Sequence, residues 1–177
     1  MKSVSELIVD LKNLSCRNYF PTNQNIKIIV ETENKLNIQF PKAVKEFYTI
    51  YNGGFILDSS ISDKRYDDCE FYFDEIEWSS NAFLKLEDIV YYYELNEDYE
   101  INYKREEQLN SKRLIPFFRT KSKFPEEGYQ GFLVLADDST ILWAKQMENN
   151  KIEWINRFEN FESLLNEYIK NEGNIRL

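Results

Sequence analysis

FPKAVKEFYTIYNGG, running from Phe40 to Gly54, is the stretch whose reading decides the fold. Pro41 suits the first position of a helix, where its missing N–H costs nothing and its fixed φ is already helical. Ala43, Val44, Phe47, Ile50 and Tyr51 then recur at helical spacing and form one apolar face. Asn52-Gly53-Gly54 is expected to end the helix, because glycine takes up a left-handed conformation without a Cβ penalty. The chain has only 5 glycines, so an adjacent pair marks a break. Phe55-Ile56-Leu57 follows as a short buried strand.

Working outward from this unit, two helices precede it. Val4, Leu7, Ile8, Leu11 and Leu14 share a face of the first, with Ser3 or Ser5 as its cap. Cys16 to Pro21 reads as a linker. Thr22 or Asn23 is expected to cap a second helix whose stripe is Ile26, Ile29, Val30, Glu33 and Leu36. The charge of Glu33 predicts that this helix is only partly buried. Downstream, Asp58 to Asp68 is polar and turn-like. Cys69, Phe71 and Phe73 alternate with polar or amphipathic neighbours, as in a half-buried strand, with a bulge near Asp74 and Glu75. Ser79-Ser80-Asn81 reads as a turn. Phe83 to Leu86 leads into a helix from about Glu87, with Ile89, Val90, Tyr93 and Tyr92 toward the core. Residues 96–112 are polar and fit a long loop or an exposed helix. Leu114 to Phe118 is a strand whose Pro116 belongs at an edge or a strand end. Gly131 to Ala136 and Thr140 to Ala144 form a hairpin about Asp137-Asp138-Ser139. Ile152, Trp154 and Ile155 add a strand, with Trp143 and Trp154 expected in the core. Asn160 caps a closing helix with Phe161, Leu164, Leu165, Tyr168 and Ile169 inward. These elements give one α+β domain over residues 1–177, an antiparallel or mixed sheet flanked by helices.

Composition removes whole classes of chemistry. The 177 residues include no histidine, so Ser-His-Asp, Cys-His and His-metal sites are excluded. Cys16 and Cys69 are too few for a cysteine zinc site and read as reduced thiols of a cytoplasmic protein. Met1 to Glu6 lacks the character of a signal peptide, and no apolar run has the length of a membrane span. Gly128-Tyr129-Gln130-Gly131 lacks the lysine ending of a phosphate loop and precedes a strand. No cofactor or metal is expected. Asp67, Asp68 and Glu70, or Asp74, Glu75 and Glu77, match no calcium loop.

The motif also resembles the signature of the SUKH superfamily, the Smi/Knr-type domain. The resemblance rests on Phe40, Pro41, Phe47, Asn52, Gly53 and Gly54. LKLEDIVYYYE, the Leu-Ile-Pro-Phe strand and FENFESLLNEYI are similar to later elements of that family. The resemblance implies the family's single-domain α+β fold and a non-enzymatic protein. In bacterial members it implies an immunity protein that neutralises a cognate toxin by occluding its active site. In fungal members it implies a regulatory or scaffold module.

Charge suggests where a partner would bind. Residues 58–100 hold fourteen acids and three bases, whereas the rest of the chain holds nineteen bases and seventeen acids. The net charge of -9 is therefore a property of the middle of the chain. Tyrosines and a tryptophan are interleaved with these acids, so the segment is expected to capture a basic protein surface. Candidate contacts are Tyr66, Asp67, Asp68, Glu70, Tyr72, Asp74, Glu75 and Glu77. Lys104 to Lys123 is a basic counterweight, but overall acidity argues against nucleic acid. A carboxylate-dependent hydrolase at Asp67, Asp68 or Glu70 is the alternative from another class.

Overall fold

The computed structural model describes residues 2–57, 80–94, 103, 106, 111–121, 131–146, 151–175 and 177. Among these, five helices surround a seven-stranded antiparallel sheet. The helices are α1 (Val4–Lys12), α2 (Lys27–Leu36), α3 (Lys42–Ile50), α4 (Leu86–Glu94) and α5 (Phe161–Lys170). The strands are β1 (Asn18–Tyr19), β2 (Gly54–Ile56), β3 (Ala82–Phe83), β4 (Ile115–Arg119), β5 (Phe132–Leu135), β6 (Ile141–Gln146) and β7 (Ile152–Phe158). They lie side by side in chain order, and every pairing is antiparallel. The strand expected over residues 69–78 lies outside the described residues.

Local chemistry sets the helix ends. Ser3 and Glu6 form a capping box at α1, and Asn160 and Ser163 form one at α5. α1 and α5 pack against each other and against α3. Phe47 lies at the centre of this side, its ring 4.8 Å from Phe83 and 5.5 Å from Phe161. Phe83 in turn stands edge-on to Phe118 at 4.8 Å and to Tyr168 at 5.4 Å. Such aromatic pairs add to area burial, so this chain fills its core with few large rings.

The structure corrects several expectations. Cys16 to Pro21 is not only a linker, because β1 lies within it and pairs with β2. α2 begins at Lys27 with no side-chain cap. Glu33 is buried after all. Its carboxylate accepts the Phe40 N–H at 2.6 Å and meets the Lys45 ammonium at 2.8 Å. The charge that seemed to weaken the stripe therefore tethers α2 to the start of α3, and Ile26 and Val30 take the exposed positions instead. The apolar face of α3 also includes Tyr48, which is fully buried and donates its hydroxyl to the Leu84 carbonyl at 2.8 Å. Pro116 lies in an interior strand, near its start and beyond the reach of two-residue β3, where its missing N–H breaks no ladder with that neighbour. Trp143 and Trp154 are half-buried, not core residues. Within 96–112, Tyr103 is buried against Phe132. Asn81 is no simple turn residue. Its amide donates to the Gly173 carbonyl and accepts the Lys121 N–H, and its carbonyl accepts the Tyr168 hydroxyl.

Tyr48 and Tyr168 make stability sensitive to alkali. Burial drives both phenols far above the usual tyrosine range, with Asp88 adding to the effect at Tyr48. In the unfolded chain they ionise near pH 10, so stability is full below that pH and falls as pH rises through it. The expected slope in urea unfolding above that pH is about 1.4 kcal/mol per pH unit for each buried phenol. Tyr48→Phe should remove one phenol's share of that slope.

Candidate partner-binding surface

The Phe40–Gly54 stretch has its tightest constraint where the chain leaves α3. α3 stops at Ile50, and Tyr51 is already extended, so Gly53 and Gly54 do not cap the helix as expected. They serve a tighter constraint. Gly53 has φ 76°, and a Cβ there would stand 2.8 Å from the Phe83 carbonyl oxygen. Gly54 has φ 131°, and its Cβ would overlap the backbone of Tyr19 and Phe20. Only glycine lets this backbone lie between β1 and β3.

Asn52 sits where that backbone passes α4. Its side-chain oxygen accepts the Leu86 N–H at 3.0 Å, satisfying a donor that the first turn of a helix leaves unpaired. Its amide donates to the Glu87 carboxylate at 3.0 Å. The residue read as a helix terminator is therefore a remote cap for a different helix. It fixes both the start of α4 and the carboxylate beside it.

α4 carries the described part of the acidic segment. Glu87, Tyr91 and Glu94 are spaced four and three residues apart, share one face, and are exposed. Tyr91 is 57% exposed, with its ring 5.3 Å from Tyr92, and Tyr92 packs 4.8 Å from Phe132. The exposed ring thus rests on a chain of aromatics anchored in the sheet. Glu87 and Asp88 lie in the first turn, where negative charge suits the helix dipole. Glu94 lies in the last turn, where it does not, and no basic residue accompanies it. Helix stability accounts for the first two acids and leaves Glu94 without a local reason.

α2 packs against α4 and extends this surface. Ile26 and Val30, one turn apart, are 58% and 56% exposed. Between the entry to α2 and the start of α4 lies a cleft of about 290 Å3, lined by residues that include Tyr19, Asn25, Ile28, Asn52, Lys85 and Glu87. Sequence periodicity placed Ile26 and Val30 inside. The signal that could have corrected it was the contiguous Ile28-Ile29-Val30 run, which cannot turn wholly inward on one helix.

Tyr66, Asp67, Asp68, Glu70, Tyr72, Asp74, Glu75 and Glu77 lie outside the described residues. The flanks of that segment are described. Leu57 donates its N–H to the Arg17 carbonyl at 2.9 Å, and Ser80 and Asn81 are buried beside it in the sheet order. Both flanks are thus held at one end of the sheet. Among the described residues, no group of His, Cys, Asp and Glu could hold a metal ion, and no helix is long and apolar enough to cross a membrane.

Asn52→Ala tests the clamp. Leaving the Leu86 N–H and Glu87 without their partner should cost about 1–2 kcal/mol in urea unfolding and speed hydrogen exchange at Leu86. Asn52→Asp keeps an acceptor for Leu86 but repels Glu87, so it should recover only part of the loss.

The sequence-family comparison agrees with this geometry. A search of curated proteins finds no significant match. The model of the SMI1 / KNR4 family (SUKH-1) matches residues 25–167, a span that contains α2, the motif, α4 and the whole sheet except β1. That family is generally non-enzymatic, and membership fits an immunity or regulatory module. With most of its length inside the match, the chain belongs to the SMI1 / KNR4 (SUKH-1) family.

Proposed function

We propose that the protein is a cytoplasmic immunity protein that binds a cognate bacterial toxin and occludes its active site without chemistry of its own. The carrying observation is the exposed Glu87–Tyr91–Glu94 face on a helix held by Asn52. A tyrosine between acids offers rigid contact area at the centre and charge at the rim, which suits a basic partner. Toxins that act on nucleic acid present basic clefts, and charge of opposite sign speeds their capture. The acidic segment from Asp58 to Glu77, with Tyr66, Asp67, Asp68, Glu70, Tyr72, Asp74, Glu75 and Glu77, supplies further contacts in this reading. Ile26 and Val30 supply an apolar flank.

Co-expression with the toxin encoded beside the gene tests the reading. Growth should be rescued, and the two proteins should associate in a salt-sensitive way. Tyr91→Ala or Glu94→Lys, neither in the Asn52 clamp, should weaken binding about tenfold or more while the chain stays folded. Failure to rescue growth, or binding no tighter than to an unrelated basic protein, would overturn it. Stoichiometric binding to an endogenous protein instead would assign the chain to the regulatory branch.

A further inference from the structure

We propose that Asn52-Gly53 is a site of self-modification that the fold holds in check: the Asn52 side chain cyclises only when the first turn of α4 releases it, and the product cannot rebuild the clamp. Asn52-Gly53 is the one Asn-Gly pair in the chain. Glycine leaves the peptide nitrogen after an asparagine uncrowded, so that nitrogen can attack the side-chain carbonyl. In this reaction the Gly53 nitrogen bonds to Asn52 Cγ and the Cγ–Nδ2 bond breaks. Nδ2 leaves as ammonia, with the proton that the Gly53 nitrogen gives up. The cyclic imide then takes up water at either carbonyl and opens to aspartate or isoaspartate. Water is the only co-reactant.

Ring closure needs the attacking nitrogen aligned with Cγ at contact distance. The carboxamide faces α4 instead. Its Oδ1 accepts the Leu86 N–H at 3.0 Å, and Nδ2, the leaving group, donates to the Glu87 carboxylate at 3.0 Å. The backbone is held as well, since the Asn52 N–H donates to the Pro21 carbonyl at 2.8 Å and Gly53 is buried. Both side-chain partners belong to the first turn of α4. One local opening of that turn therefore frees the carboxamide and the Leu86 N–H together. Neither product restores the joint. Aspartate sets a second negative charge beside Glu87. Isoaspartate adds a main-chain carbon just before Gly53, whose Cα has no room for even a Cβ against the Phe83 and Leu84 backbone. Each opening thus carries a chance of becoming permanent.

Incubation of the full chain at neutral pH, followed by mass spectrometry of the peptide that holds residues 52 and 53, tests this without any toxin. Deamidation should be fast in unfolding urea. In the native chain it should be slower by the same factor that protects the Leu86 amide from hydrogen exchange. Glu87→Ala removes one of the two side-chain bonds and should speed both processes together, roughly three- to tenfold. Sub-denaturing urea repeats the comparison with no substitution, and both rates should again rise in step. The isolated deamidated form should exchange its Leu86 amide faster than the starting protein. Native deamidation as fast as in unfolding urea defeats the proposal. So does a Glu87→Ala chain whose Leu86 amide exchanges faster while its deamidation is unchanged.

Discussion

The amide of Asn52 is the joint on which the rest of this structure depends. Backbone contact with Pro21, through the Asn52 N–H, ties the joint to the β1 side. The side chain reaches the start of α4, and the two glycines that follow admit β2 between its neighbours. Three requirements fall on consecutive residues, and each dictates its residue type. Asparagine offers an acceptor to one N–H and, from a separate atom of the same planar group, a donor to a carboxylate. Glycine alone tolerates both the positive φ and the missing space. In this chain Asn52-Gly53-Gly54 is thus a spatial constraint between distant segments and not a local helix stop.

That joint connects the fold to the surface proposed for recognition. α4 packs on β4 and is held at its first turn, so its outward face is presented with little freedom. A rigid face loses less entropy on binding than a loop does. The acids on that face divide by position along the helix dipole: Glu87 and Asp88 serve the helix, and Glu94 does not. The bland reading, an acidic coat that keeps the protein in solution, accounts for scattered acids. It does not account for a tyrosine supported from below by Tyr92 and Phe132 and left open between two of them.

Much of the fold was legible because its signals are local. The stripes of α1 and α5, their capping residues, and the hairpin of β5 and β6 all follow from spacing within a dozen residues. What was not legible depends on partners far apart in the chain. Glu33 looked misplaced until Phe40 and Lys45 came alongside it. Tyr48 was not among the residues of the α3 stripe, and its burial depends on the distant Leu84 carbonyl that receives its hydroxyl. Asn81 looked like a turn residue, although it collects bonds from Lys121 and Tyr168 and gives one to Gly173. Ile26 and Val30 failed in the other direction, since periodicity cannot say which of two apolar stripes faces the core. At the surface proposed for recognition, the acidic bias was legible as composition, whereas the Glu87–Tyr91–Glu94 face needed the helix to be placed.

Hydrogen exchange of the chain, alone and mixed with the toxin proposed as its partner, tests the central claim most directly. The account predicts new protection along α4, from Leu86 to Glu94, and at the start of α2. Protection confined to α1 and α5, with α4 exchanging as in the free chain, would contradict it.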